Sequence, residues 1–171
     1  MSSTHLSLHY HLVFRTKNDE PVITSAWRDR LHAYLGGVIR TLGGAPEAIG
    51  GVADHVHLLV GLRATNTLAD VLREVKSVSS KWVHEEMGVR SFAWQEGYGA
   101  FTVSASQLET VRRYIQQQEE HDRMHTFREE YLALLQRSSV EFDERYVRGF
   151  SPTPVGAVNC CGHCPVACAT G

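Results

Sequence analysis

A chain of 171 residues is long enough for one domain with a substantial hydrophobic core and short for two. Its composition, 43% hydrophobic and 21% charged, excludes a disordered or fibrous polymer, and no apolar run nears the roughly 20 residues of a membrane span. The formal net charge of −2 gives no bulk signature of nucleic-acid binding. The start, MSSTHLSLHYH, has neither the basic nor the apolar segment of a signal peptide, so a cytoplasmic protein with no membrane association is expected.

The first periodic stretch, residues 5–14, alternates Leu6, Leu8, Tyr10 and Leu12 with more polar neighbours and predicts a strand. A polar turn around Asn18 to Pro21 follows. Thr24 or Ser25 can then cap a helix whose apolar positions are Trp27, Leu31, Tyr34, Leu35, Val38 and Ile39, ending at Gly43 and Gly44. Residues 45–62 hold a pair of strands, the second being HVHLLVGL. Thr65 to Thr67 open a second helix with Leu68, Val71, Leu72, Val75, Val78, Trp82, Val83 and Met87 on one face, stopped by Gly88. A strand is predicted at 100–105. Ser106 and Glu109 match a capping box for a third helix through LETVRRYIQQQEEHD, and another helical pattern covers 127–137.

The order is β-α-β-β-α-β followed by two helices. It predicts an α+β, ferredoxin-like βαββαβ sheet with two additional C-terminal helices. In that arrangement the first and third strands are central, so HVHLLV is flanked on both sides. His55 and His57, two apart, then project from one face.

Two imidazoles at that spacing can share a metal ion, but ten histidines place about 0.6 such pairs by chance, and a second pair, His9 and His11, is present. The third helix adds weight. Tyr114 and Gln118, four apart, share a helical face beside the apolar stripe of Leu108, Val111 and Ile115. His121 follows seven residues after Tyr114. The residues alone do not choose between Gln118 and His121 as a third ligand.

DHVHLLV at 54–60 followed by YIQQQEEH at 114–121 resembles the single-tyrosine HUH transposases of small bacterial insertion sequences, in particular the branch containing the REP-associated tyrosine transposases. YHLVFRTK, LREVKSVSSKW, FAWQEGYGAFTVS, FREEYLALL and VEFDERYV agree, so the resemblance spans about residues 5–148. It implies a ferredoxin-like fold, His55, His57 and Gln118 as metal ligands, and Tyr114 as nucleophile. It also implies single-stranded DNA with a hairpin as substrate, and a 5′-phosphotyrosine intermediate with a free 3′-OH. The implied cofactor is Mg²⁺ or Mn²⁺; two imidazoles favour Mn²⁺. Many members are homodimers, and a homodimer is expected here. A replication initiator or relaxase, a domesticated hairpin-processing endonuclease and a non-catalytic nucleic-acid-binding module are the competing readings.

The chemistry suits these residue types. Exchanging one phosphodiester for a phosphotyrosine keeps the bond energy in the protein–DNA link. An ordinary phenol is almost fully protonated at pH 7, and no base stands out in the chain. Asp54 is either a hydrogen-bond partner of an imidazole or a turn residue. Arg15, Lys17, Lys76, Lys81, Arg112 and Arg113 form a candidate phosphate-contacting set, and Trp94 and Tyr98 can stack on bases, fill a dimer interface or fill the core. Residues 1–118 hold 12 basic and 11 acidic residues against 5 and 8 in 119–150, so the acidity lies after the tyrosine.

Residues 1–149 are expected to be the transposase domain and 150–171 a flexible tail. All four cysteines, Cys160, Cys161, Cys164 and Cys168, fall in that tail beside His163. Nine residues leave no loop between ligand pairs, so a reduced, unstructured segment is expected over a zinc site.

Overall fold

The computed structural model describes residues 5–142. The tail, with its cysteines and the 150–171 boundary, lies outside the described residues. The strands are β1 (His9–Arg15), β2 (Ala45–Gly51), β3 (His55–Gly61) and β4 (Gly99–Val103). The helices are α1 (Arg28–Thr41), α2 (Leu68–Glu86), α3 (Leu108–Gln116), α4 (Gln118–Met124) and α5 (Phe127–Arg137). The sheet is antiparallel in the order β2-β3-β1-β4, so the first and third strands are central, as the ferredoxin-like α+β pattern predicts.

Strand alternation splits the interior in two. Leu12 and Phe14 of β1 and Val56, Leu58 and Val60 of β3 meet Leu31, Leu35 and Ile39 of α1 and Val71, Leu72 and Val75 of α2. The opposite face carries His11, Val13, Arg15, His55, His57 and Leu59. Val13 and Phe101 pack on Phe127, Leu134 and Leu135 of α5, and Leu59 and Val103 on Ile115 of α3. An antiparallel sheet commonly leaves one face to water. Here helices after β4 cover it, which is why β3 is buried along almost its whole length.

Several boundaries move for local reasons. The first strand starts at His9, the first residue paired on both sides, with Gly61 and Val103; Leu6 before it is 56% exposed. The first helix has no side-chain cap from Thr24 or Ser25. The Thr24 carbonyl instead accepts from the amides of Trp27 and Arg28. The second helix is capped as expected, with the Thr67 hydroxyl accepting from the Asp70 amide.

The capping box at Ser106 does not form. Ala105–Gln107 make a 3-10 turn, the Ser106 hydroxyl pairs with that of Ser104 at 3.0 Å, and Glu109 takes Arg112 at 2.9 Å. A complete capping box sits at Thr126 and Glu129, at the start of α5.

The predicted continuous third helix is broken. Gln117 leaves helical geometry (φ −97°, ψ 16°), and the chain restarts as α4. Three helices therefore follow the βαββαβ unit where two were expected. The cause lies beneath the first of them: α3 rests so closely on β2 that a Cβ at Gly50 would stand 2.2 Å from the Ile115 carbonyl oxygen. Past that contact the chain turns.

Candidate active site and metal centre

The site lies on the sheet face covered by α3, α4 and α5. His55 and His57 project there from β3 and are both fully buried. His55 Nδ1 meets the Asp54 carboxylate at 2.7 Å, and Arg15 stands 3.7 Å from the other Asp54 oxygen. Burial pushes the Asp54 carboxyl up, but the hydrogen bond and charge of His55, with Arg15, outweigh it and hold the carboxyl below its usual range. A proton on His55 Nδ1 is thereby fixed, and Nε2 is turned inward.

His57 is oriented the same way by a residue that spacing alone had left aside. Its Nδ1 lies 2.9 Å from His11 Nε2. With the proton on Nδ1, His57 donates to His11 and presents a bare Nε2 lone pair. Burial above all, then the neighbouring His55 and His11, drives the His57 pKa well below the ordinary imidazole value. The Nε2 atom is buried without a hydrogen bond.

The two inward nitrogens face a carboxylate that the sequence reading did not single out. Glu130 Oε1 lies 3.5 Å from His57 Nε2, and Oε2 lies 3.8 Å from His55 Nε2. Ligand atoms of His55, His57 and Glu130 all fall within 4.8 Å of one another. Gln118, 2% exposed, adds its carboxamide, with Nε2 at 2.8 Å from Glu130 Oε1 and 3.4 Å from His55 Nε2. Its Oε1 is buried without a partner. A half-turn of the amide exchanges the two ends, so the oxygen can face the histidines.

Two imidazole nitrogens, a carboxylate and an amide oxygen make a donor set that fits a divalent cation. The unsatisfied His57 Nε2 is the clearest sign, because a buried polar atom without a partner costs about 1–3 kcal/mol.

Tyr114 completes the group. Its ring lies 6.0 Å from that of His57 and 4.9 Å from that of His121, and its hydroxyl donates to Glu130 Oε1. Burial, then the charge and hydrogen bond of Glu130, raises the Tyr114 pKa well above the ordinary phenol value. Tyr114 and Gln118 meet at this carboxylate across the break between α3 and α4, not along one helix. Of the two ligand candidates left open, Gln118 faces the histidines and His121 packs on the tyrosine ring.

A family model described as "Transposase IS200 like" matches residues 4–118. The chain belongs to this family. The transposase is similar in fold to a protein from Deinococcus radiodurans R1 described as a candidate transposase. The two share 22% identity at a TM-score of 0.54, over 69% of this chain and 96% of that one. It is also similar to a REP-associated tyrosine transposase bound to a REP hairpin, with 15% identity and a TM-score of 0.50 over 68% and 72% of the two chains. No curated protein matches it. The family match ends at Gln118, so Glu130 lies beyond it.

The transposase uses several of its candidate DNA-contacting cations internally. Arg15, 6% exposed, pairs with Asp19 at 2.8 Å and lies over the Phe127 ring. Lys76 donates to the carbonyls of Gln95, Glu96 and Gly97 at 2.7–3.2 Å, and burial lowers its pKa to about 8. Arg112 bridges Glu47 and Glu109. Lys17, Lys81 and Arg113 are exposed, Lys81 standing 3.9 Å from Glu85. Trp94 is a core residue whose indole donates to Ser79, whereas Tyr98 is 43% exposed. No helix among the described residues is long and apolar enough to cross a membrane.

Two site residues were missed by sequence reasoning. His11 belonged to the pair discounted by chance, and only the β1–β3 register brings it to His57. Glu130 carried a readable signal. It falls between Phe127 and Leu134 on the stripe formed with Tyr131 and Leu135, so a charge interrupts an apolar face.

Proposed function

We propose that this transposase cuts and rejoins single-stranded DNA through Tyr114. The convergence of the Tyr114 hydroxyl, the two histidine Nε2 atoms and Gln118 on one buried carboxylate carries this reading. His55, His57 and Gln118 hold a divalent cation, Mg²⁺ or Mn²⁺. The imidazole pair favours Mn²⁺. When bound, the cation supplies Lewis-acid polarisation of a phosphate oxygen.

Tyr114 Oη attacks the phosphorus, the bond from phosphorus to the 3′ oxygen breaks, and the 5′ side remains on the tyrosine with a free 3′-OH on the other fragment. Attack by a 3′-OH on the phosphotyrosine reverses the exchange and joins strands without an external energy source. Asp54 keeps His55 in the tautomer that leaves Nε2 free.

The substrate is single-stranded DNA marked by a hairpin, a reading supported by the similar fold that binds a REP hairpin. Lys17, Lys81 and Arg113 are the exposed cations proposed to meet phosphates. A homodimer serves to hold two DNA ends, since the tyrosine meets the histidines within one chain. The domain over 1–149, the tail over 150–171 and a cytoplasmic location belong to the same reading.

Hairpin-bearing single-stranded oligonucleotides drawn from the flanks of the gene test it. With Mn²⁺ they should yield a protein–DNA adduct on denaturing gels. Tyr114→Phe should abolish the adduct and leave hairpin binding within about twofold. An adduct that survives in Tyr114→Phe overturns the assignment.

A further inference from the structure

Glu130 stands at the junction of two groups that the proposed function treats separately. One oxygen, Oε1, accepts from the Tyr114 hydroxyl and the Gln118 amide and lies 3.5 Å from His57 Nε2. The other, Oε2, faces His55 Nε2 at 3.8 Å. The carboxylate is 8% exposed, and its helix is anchored on both sides by Phe127, Leu134 and Leu135 in the core. No lysine or arginine is paired with it among the described residues. A buried carboxylate in that position is costly unless a cation or several donors compensate it.

We propose that Glu130 is itself a ligand of the divalent cation and, through the same carboxylate, the residue that positions the Tyr114 hydroxyl at the metal. This rests on the reading of Tyr114 and the His55–His57 pair given above. The centre is then two imidazoles and a carboxylate, with the Gln118 amide beside them.

Three observations carry it. The His57 Nε2 lone pair and the Glu130 oxygens point into one space, with ligand atoms within 4.8 Å of one another. Carboxylate oxygen is also the donor that Mg²⁺ and Mn²⁺ prefer, which the imidazoles and the amide do not supply. Finally, the Tyr114 hydroxyl donates to the same Glu130 oxygen that lies 3.5 Å from His57 Nε2, so one carboxylate reaches both the nucleophile and the histidines.

The test is Mn²⁺ binding by calorimetry on the full chain, with a His55→Ala/His57→Ala double variant defining background. Glu130→Gln keeps the shape and a hydrogen-bond acceptor for Tyr114 but loses the charge; it should weaken Mn²⁺ at least tenfold. Glu130→Asp should recover part of that loss. Tyr114→Phe should bind Mn²⁺ as tightly as wild type or more tightly, because its loss releases Oε1.

Positioning is read separately in protein labelled with ¹³Cζ-tyrosine, the Tyr114 signal being the one missing in Tyr114→Phe. Mg²⁺ should shift that signal in wild type and not in metal-saturated Glu130→Gln. Circular dichroism should show all variants folded. Glu130→Gln binding within threefold of wild type, or a Tyr114 signal that Mg²⁺ leaves unmoved, overturns this inference alone. Wild-type protein that binds no Mn²⁺ overturns it together with the metal reading beneath it.

Discussion

His11 decides how His57 is presented, and it shows what single residues contribute here. The imidazole of His57 has no carboxylate on its outer nitrogen. Its orientation depends on the 2.9 Å contact to His11 Nε2. Burial first, and then the charge of Arg137, lowers the His11 pKa to about 4, so His11 is neutral at pH 7 and can accept that bond. Partners of this kind typically change metal affinity 10–100-fold. His11→Phe keeps a ring in the buried space and removes the acceptor. It should weaken Mn²⁺ binding by about that range with the fold intact, as read by calorimetry and circular dichroism. Asp54 does the same for His55 through a full charge, and the pair explains why two histidines on one strand are aimed at one point.

At the scale of elements, the seat of α3 on β2 sets where Tyr114 lies. Gly50 lets the Ile115 carbonyl approach as no other residue would. The helix then stops at Gln117 and resumes as α4, bringing Gln118 back toward the histidines. Gly50→Ala puts a methyl 2.2 Å from that carbonyl oxygen, which α3 can relieve only by rising off the strand. Overpacking of this kind costs about 1–3 kcal/mol. Urea unfolding should show a loss in that range. Adduct formation should fall at least tenfold at temperatures where the variant is still folded, because the tyrosine moves with the helix. The other anchor is α5, whose capping box at Thr126 and Glu129 starts the helix at Phe127, three residues before Glu130.

Across the whole molecule, covering both faces of the sheet buries imidazoles that then resist protonation. His11 and His32 are held near pH 4 and His57 well below its usual value, burial being the largest cause in each case. The ordinary value is 6.5, so between about 6.5 and 4 the unfolded chain binds protons that the folded chain refuses. Stability therefore falls as pH falls through that window and stops falling from His11 and His32 below about 4. For His11 alone the full interval corresponds to on the order of 3 kcal/mol. Thermal melts of the metal-free protein from pH 7.5 to 4.5 should show a steadily declining midpoint. A midpoint flat across that range contradicts the burial of these neutral rings.

The element order, the central place of HVHLLV and the shared face of His55 and His57 were legible in the chain. They follow from local periodicity, and strand alternation needs no partner to be read. The family-like motif around Tyr114 and Gln118 was legible for the same reason, since both lie within a few residues of each other. The structure alone decided the break at Gln117, the contact of His11 with His57 and the arrival of Glu130 from α5. Each of these depends on two segments far apart in the chain meeting at a fixed register or helix seat. Their cause is packing between elements, which no window of the sequence contains.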